Sequence, residues 1–282
     1  MIFTERQKRL AAIHDISGFG KCSLTVALPV LSCAGFEVTA LPTAVLSTHT
    51  AVPGQISCRD LTDDMPSFLR HWADLKLTFD SIYSGYLGSE RQIDTVCRFI
   101  DRFRSDSTLV VVDPAMADNG KMYSLFDRSF AKKMLPLCKK ADIIVPNMTE
   151  ALFLLGKEYV HSPYTKEFIE DLLLELEQVT CQKIVLTGVC LDDTSVGAAC
   201  LENSVISYVF AEKVNGVYHG TGDVFASALT AALLKEKDLT TAADIAVNFT
   251  VDSIKRTAAG ATDHRYGVDF ERGLPKLIET LG

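Results

Sequence analysis

The sequence predicts an α/β fold, a doubly wound and mostly parallel central sheet flanked by helices, with an antiparallel edge. Three observations predict it. Strongly apolar runs end abruptly in polar residues: Thr108-Leu-Val-Val-Val112 before Asp113, Ile143-Ile-Val145 before Pro146-Asn147, and Ile184-Val-Leu186 before Thr187. Strands of that kind are buried on both faces, as in the middle of a parallel sheet. Stretches of helical periodicity alternate with them. Late in the chain, 196–200 and 204–210 read as an antiparallel pair around Glu202-Asn203.

Each element follows in order. Leu10-Ala-Ala-Ile13 is a short apolar strand, His14 to Gly20 a polar turn with two glycines, and 22–34 a helix closed by Gly35 and kinked at Pro29. The glycines lack the rest of a dinucleotide fingerprint, which excludes a Rossmann cofactor site. A second strand covers 36–43 and runs on as polar, β-prone chain through Thr48, His49 and Thr50. Asp63-Asp64 before Met65-Pro66 starts a helix that carries Trp72, the only tryptophan. The run 81–86 is a strand ending in Gly85 and Tyr86, followed by an amphipathic helix over 89–103. Tyr86 fits a core aromatic and a substrate wall equally well. Asp113 ends the next strand beside Pro114, and Asp118-Asn119-Gly120 and Tyr123 follow in a loop. Asn147 and Glu150 open a helix, where they could hold a ligand or simply form a capping box. Thr187 and Gly188 end another buried strand. Two further helices are expected at about 241–257 and 270–281.

The stretch Gly220-Thr-Gly-Asp223 precedes a run of small apolar residues that reads as a closely packed helix. A tight glycine turn at a helix start aims free N–H groups and the positive end of the dipole at one point, where an anion is at home. Asp223, in the first helical turn, could take a proton from an alcohol that attacks a phosphate there. Read locally, Thr221 could instead be an N-cap with Asp223 favourable to the dipole.

Composition bounds the remaining classes. At 282 residues the chain suits one domain, expected over 1–282, that buries roughly three quarters of its unfolded surface. No apolar run nears the ~20 residues that span a bilayer, and the first thirteen residues do not read as a signal peptide. The eight cysteines are scattered without a C-x-x-C pair and read as reduced cytoplasmic thiols. With a formal charge of −8 and no basic block, nucleic-acid binding is excluded. The six histidines show no metal spacing.

Taken together, Asp15-Ile-Ser-Gly-Phe-Gly20, Ser47-Thr-His-Thr50, Ser84-Gly-Tyr86, Asp113 to Tyr123, Pro146-Asn-Met-Thr-Glu150 and Gly220-Thr-Gly-Asp223 resemble the ribokinase superfamily, in particular its vitamin-B6 kinase branch. The resemblance runs nearly end to end. It implies a ribokinase-like fold and ATP-dependent phosphorylation of the hydroxymethyl group of pyridoxal, pyridoxamine or pyridoxine. Asp223 would be the base, and Gly220, Thr221 and Gly222 the anion hole. Asp113 and Glu150 would hold Mg²⁺, largely through water. Asn147, Thr187 and Gly188 would border the nucleotide. Asp15 and Ser17 would read the ring, with Thr50 and Tyr86 lining its pocket and Tyr123 closing it. The family further implies a homodimer and a monovalent cation such as K⁺, which no motif here shows.

Two departures stand out, the first a mild change in a loop and only the second bearing on substrate. Ala117 stands where relatives usually have glycine, and the segment from Asp15 to Gly20 is more similar to hydroxymethylpyrimidine kinases of thiamine synthesis. That kinase is the first alternative. A sugar kinase comes third, because little chain lies between Ser17 and Cys58 for a lid. A non-catalytic vitamin- or nucleotide-binding regulator is the reading from another class, opposed by the intact Asp223, Glu150 and glycine turn.

Overall fold

The computed structural model describes residues 6–260 and 263–282; residues 1–5, part of the reading of the chain's start, lie outside them. β1 (Arg9–Phe19) is followed by α1 (Leu24–Cys33), β2 (Glu37–Thr48), the short β3 (Cys58–Asp60) and α2 (Met65–Asp74). Then come β4 (Ser81–Ser84), α3 (Glu90–Phe103) and β5 (Leu109–Val112). A small hairpin, β6 (Ala117–Asp118) and β7 (Lys121–Met122), leads to α4 (Arg128–Lys140), β8 (Ile143–Ile144), α5 (Met148–Leu154) and α6 (Lys166–Val179). β9 (Lys183–Val189), β10 (Ser195–Glu202) and β11 (Val205–Glu212) precede α7 (Thr221–Leu234), α8 (Leu239–Ala259) and α9 (Leu274–Leu281).

Nine strands form one sheet in the order β11-β10-β9-β8-β5-β4-β1-β2-β3. The six central strands are parallel, and β10, β11 and β3 each pair antiparallel with their inner neighbour. The expected mostly parallel sheet with an antiparallel edge is therefore present, with a second such edge at β3. β1 connects outward to β2, whereas β4, its other neighbour, connects toward β5. Connections leaving in opposite directions open a crevice at the carboxyl ends of β1 and β4.

Two apolar layers hold the sheet between helices. Ile93, Val96, Phe99, Ile100 and Phe103 recur along α3 at helical spacing and pack with Met134 of α4 and Leu172 of α6 on one face. On the other face α7 is buried along nearly its whole length, from Val224 to Ala232. Its small side chains, among them Ala226, Ser227, Ala228, Ala231 and Ala232, let α1 and α8 approach closely. That burial fixes the start of α7 rigidly against the crest of the sheet.

The structure corrects three local expectations. The stretch from His14 to Phe19 is strand rather than turn, because a bulge between His14 and Ile16 keeps it paired with β2. The loop holding Asp118 and Gly120 is a hairpin whose central residues, Asn119 (φ 49°) and Gly120 (φ 76°), take the left-handed conformation of a two-residue turn. Thr221 does not cap α7; Gly220 does, in the left-handed region, and the helix begins at Thr221. The helices α4 and α6 carry no expectation above, although Asp127 and Thr165 cap them through side-chain hydrogen bonds of the ordinary kind.

Candidate active site

Strand ends and helix starts meet on a cleft of about 610 Å³ along the crest. Asp15, Thr50, Tyr86, Asp113, Tyr123, Asn147, Glu150, Thr187, Gly188, Gly220, Thr221, Gly222 and Asp223 all line it. Ser17, expected beside the ring, does not. It is fully buried behind Asp15, and its hydroxyl is 3.4 Å from Asp15 Oδ2.

The start of α7 is built for an anion. Gly220 has φ 73°, and a Cβ there would lie 2.1 Å from the Lys21 carbonyl oxygen, so only glycine fits. The turn leaves the amides of Thr221, Gly222 and Asp223 without a hydrogen-bond partner among the described residues. Gly222 has nothing within 4 Å of where a Cβ would stand, and all three residues line the cleft. Burial pushes the Asp223 carboxyl up to about 7, with the Asp15 charge adding to it and the Ser23 amide opposing it. A carboxylate of that affinity exchanges protons near neutrality, as a general base must.

Asp113 and Glu150 form a second, deeper pair. Both are buried, and burial raises both well above the usual carboxylate range; each is raised further by a neighbouring carboxylate, Asp223 for Asp113 and Asp113 for Glu150. Glu150 accepts from the amides of Asn147 (2.8 Å) and Met116 (3.1 Å), while Asn147 Oδ1 accepts from the amides of Thr149 and Glu150. The capping box is thus formed, and Glu150 still lines the cleft. None of these carboxylates pairs with Lys or Arg among the described residues. Crowded anionic oxygens without a cationic side chain suit a hard divalent ion. No group of three or more such ligands is present among the described residues, so water and phosphate oxygens would complete its shell.

The ring side of the cleft is aromatic. Tyr86 stands 6.3 Å from Tyr123 and 5.6 Å from Phe126, centroid to centroid. Burial is the main reason both tyrosine hydroxyls are held well above their usual pKa, so they remain protonated donors. Asp15 sits opposite, raised by burial and held by Ser23 Oγ at 2.5 Å. Across the crest, Thr187 N donates to Pro146 O at 2.9 Å, joining the β8–α5 corner to the end of β9. Asn147, Thr187 and Gly188 form one shelf there.

Sequence reasoning missed several cleft residues. Ser23, at φ 57°, clamps Asp15 from the turn before α1, and only the fold brings the two together. Cys22 and His219 also line the cleft, as does His49, given no role above, which stands 5.1 Å from His219 between ring centroids. The adjacency of His219 to Gly220 was the one signal that could have found it.

The sequence profile of the phosphomethylpyrimidine kinase family matches residues 56–267. The chain belongs to that family. It is 40% identical to a Bacteroides thetaiotaomicron protein provisionally described as a phosphomethylpyrimidine kinase and crystallised with pyridoxal, covering 96% of each chain with a TM-score of 0.92. It is 32% identical to the crystallised pyridoxal kinase of Lactobacillus plantarum, over 98% of each chain with a TM-score of 0.89. It is also 27% identical to the hydroxymethylpyrimidine/phosphomethylpyrimidine kinase of Bacillus subtilis, over 66% of this chain and 67% of that protein. The B6-kinase resemblance and the ribokinase-like fold expected from the motifs are those these matches bear out, and the chain is a phosphotransferase acting on an alcohol group.

Proposed function

We propose that this kinase transfers the γ-phosphoryl group of ATP to the hydroxymethyl group of pyridoxal, pyridoxamine or pyridoxine. The carrying observation is the pairing at the start of α7: unpartnered amides behind the glycine turn, and Asp223 beside them with its carboxyl near 7. Asp223 takes the hydroxyl proton as the alcohol oxygen bonds to phosphorus. The bond from phosphorus to the leaving ADP oxygen breaks, and the amides of Thr221 and Gly222 hold the developing charge.

Asp113 and Glu150 would hold Mg²⁺ on the donor phosphates, and the ion would neutralise charge there when bound. Asn147, Thr187 and Gly188 border the nucleotide in this reading. Asp15, Thr50, Tyr86 and Tyr123 enclose the ring, with Ser17 acting only through Asp15. The kinase unit is taken as one domain over 1–282, working in the cytoplasm as a homodimer. No helix among the described residues is long and apolar enough to cross a membrane.

Two relatives support a B6 vitamer: one crystallised with pyridoxal, one described as a pyridoxal kinase. The family description and the Bacillus subtilis relative favour hydroxymethylpyrimidine as the second reading. An ADP-release assay over the three vitamers, hydroxymethylpyrimidine and ribose separates them. The best vitamer should exceed hydroxymethylpyrimidine in kcat/KM by at least ~tenfold, about 1.4 kcal/mol of transition-state discrimination. Equal or inverted values assign the chain to thiamine-type substrates.

A further inference from the structure

The cleft is lined with acidic side chains, and a single basic one stands among them. Asp15, Asp113, Asp118, Glu150 and Asp223 all line it, whereas Lys121 is the only lysine or arginine to do so. A polyanionic donor entering such a cleft is repelled by each of these carboxylates that is ionised. The amides at the start of α7 offset part of that repulsion, and Lys121 is the one lysine or arginine placed to add to them.

The hairpin leaves this side chain available. Lys121 of β7 pairs with Asp118 of β6 across the two-residue turn, so the two side chains leave the same face. They form no ion pair. Asn119 instead takes both Asp118 oxygens, through its backbone amide at 2.8 Å and its Nδ2 at 2.9 Å. Among the described residues no other carboxylate pairs with Lys121, and its side chain is exposed.

The turn that carries it is braced. Asn147 Nδ2 donates to Ala117 O at 2.8 Å, and Gly120 N donates to Thr149 Oγ1 at 3.0 Å. Gly120 packs so closely on Tyr159 that a Cβ there would lie 2.7 Å from the ring. These contacts seat β6 and β7 on the start of α5, beside the shelf of Asn147, Thr187 and Gly188. An exposed lysine on a surface turn is ordinarily just solvated, and its charge then contributes little. Lys121 differs in being held over an acidic cleft, on its nucleotide side, with no protein carboxylate to meet.

We propose that Lys121 binds the phosphate chain of the donor, as the cation that the braced hairpin sets among the carboxylates of the cleft. A hydroxymethyl substrate without a phosphate brings no such anion, so the charge that Lys121 meets is the donor's. The proposal rests on the reading of the chain as an ATP-dependent kinase and holds for whichever alcohol is phosphorylated.

Lys121→Met tests it, because most of the stem stays and the charge goes, while Lys121→Arg keeps the charge. Since the side chain is exposed, both variants should melt with wild type. Calorimetric titration with ATP, in the absence of any alcohol, should give Lys121→Met a Kd about tenfold higher, through loss of a charge-assisted hydrogen bond. The KM for ATP should rise by a similar factor, with the KM for the best alcohol within about twofold of wild type. Lys121→Arg should bind ATP within about threefold of wild type. Added salt should weaken ATP binding to wild type more than to Lys121→Met, since only wild type has this charge to screen. An ATP Kd for Lys121→Met within about twofold of wild type makes Lys121 a solvated surface residue and overturns the proposal. A raised KM for the alcohol with an unchanged ATP Kd puts Lys121 on the ring side and overturns it as well. Either result leaves the kinase reading standing if wild type phosphorylates an alcohol from ATP. A wild-type protein that binds no ATP removes both.

Discussion

Two helix starts face this cleft, and they are built alike in sequence but oppositely in structure. α5 opens with Asn147 and carries Glu150 at its third position; α7 opens with Gly220 and carries Asp223 at its third position. In α5 the amides of Thr149 and Glu150 are taken by Asn147, and the Glu150 carboxylate is held by two further amides. In α7 nothing among the described residues takes the amides. One start is satisfied from within, so its acid is held rigid and buried. The other is left open, so its amides can serve a guest and its acid can serve as base. An acidic residue in a first turn therefore means little until the partners of the amides are known.

The largest expected effect breaks the comparison at Asp223. Asp223→Asn should lower kcat by ~10²–10⁴-fold, since an amide cannot accept the alcohol's proton. The variant should fold, and its nucleotide Kd should remain close to wild type. A folded variant keeping more than about a tenth of the rate removes Asp223 from the role of base. The same pair of proteins reports on pH. The folded Asp223 carboxyl sits near 7, above its ordinary 3.8, so the native state binds this proton more tightly than the unfolded chain. Its contribution to stability is full below pH 3.8 and is lost as pH rises through about 7. The ligand-free Asn variant should thus gain in melting temperature relative to wild type between pH 4 and pH 8. Wild-type kcat/KM should fall as pH drops below about 7. A stability difference that does not change with pH would contradict the raised pKa.

The glycine turn gives the next effect and sharpens the contrast. Gly220→Ala should cost about 1–3 kcal/mol from its left-handed backbone, and more from the clash with Lys21. Gly222→Ala meets nothing and should leave melting temperature unchanged or slightly higher. The added methyl group stands in the open cleft beside these amides, so kcat/KM should still fall by about tenfold, about 1.4 kcal/mol of transition-state stabilisation. Full activity in a stable Gly222→Ala protein would mean that the amides hold no phosphoryl group.

The smallest effect belongs to the closed start. Glu150→Gln should cost about 1–3 kcal/mol, because one of two amide donors then faces an NH₂ group. It should also raise the Mg²⁺ concentration needed for half-maximal rate. A titration with unchanged Mg²⁺ dependence would reduce Glu150 to half of a capping box.

How much of this was legible beforehand depends on the range of the interaction. The apolar strands at 109–112, 143–145 and 184–186 announce a parallel sheet because burial on both faces leaves no polar positions in the pattern. The polar residues ending them, Asp113, Asn147 and Thr187, are readable as site candidates for the same reason: each interrupts an apolar run where such sheets bind ligands. Gly220-Thr-Gly-Asp223 is legible because a tight turn into a helix is local chemistry.

Contacts between distant segments are another matter. Nothing adjacent in sequence says that Ser23 holds Asp15, or that the Lys21 carbonyl makes Gly220 obligatory. Ser17 looked like a ring contact because His14 to Gly20 read as a turn at a strand's end, whereas the stretch is strand and Ser17 is buried behind Asp15. The raised pKa of Asp223 is likewise a property of the assembled cleft, since burial supplies most of it and the sequence carries no burial. Sequence determined the sheet, the turn and the kind of chemistry, which depend on neighbours along the chain. Tertiary structure alone decided which side chains are aimed, satisfied or left open, because those depend on neighbours in space.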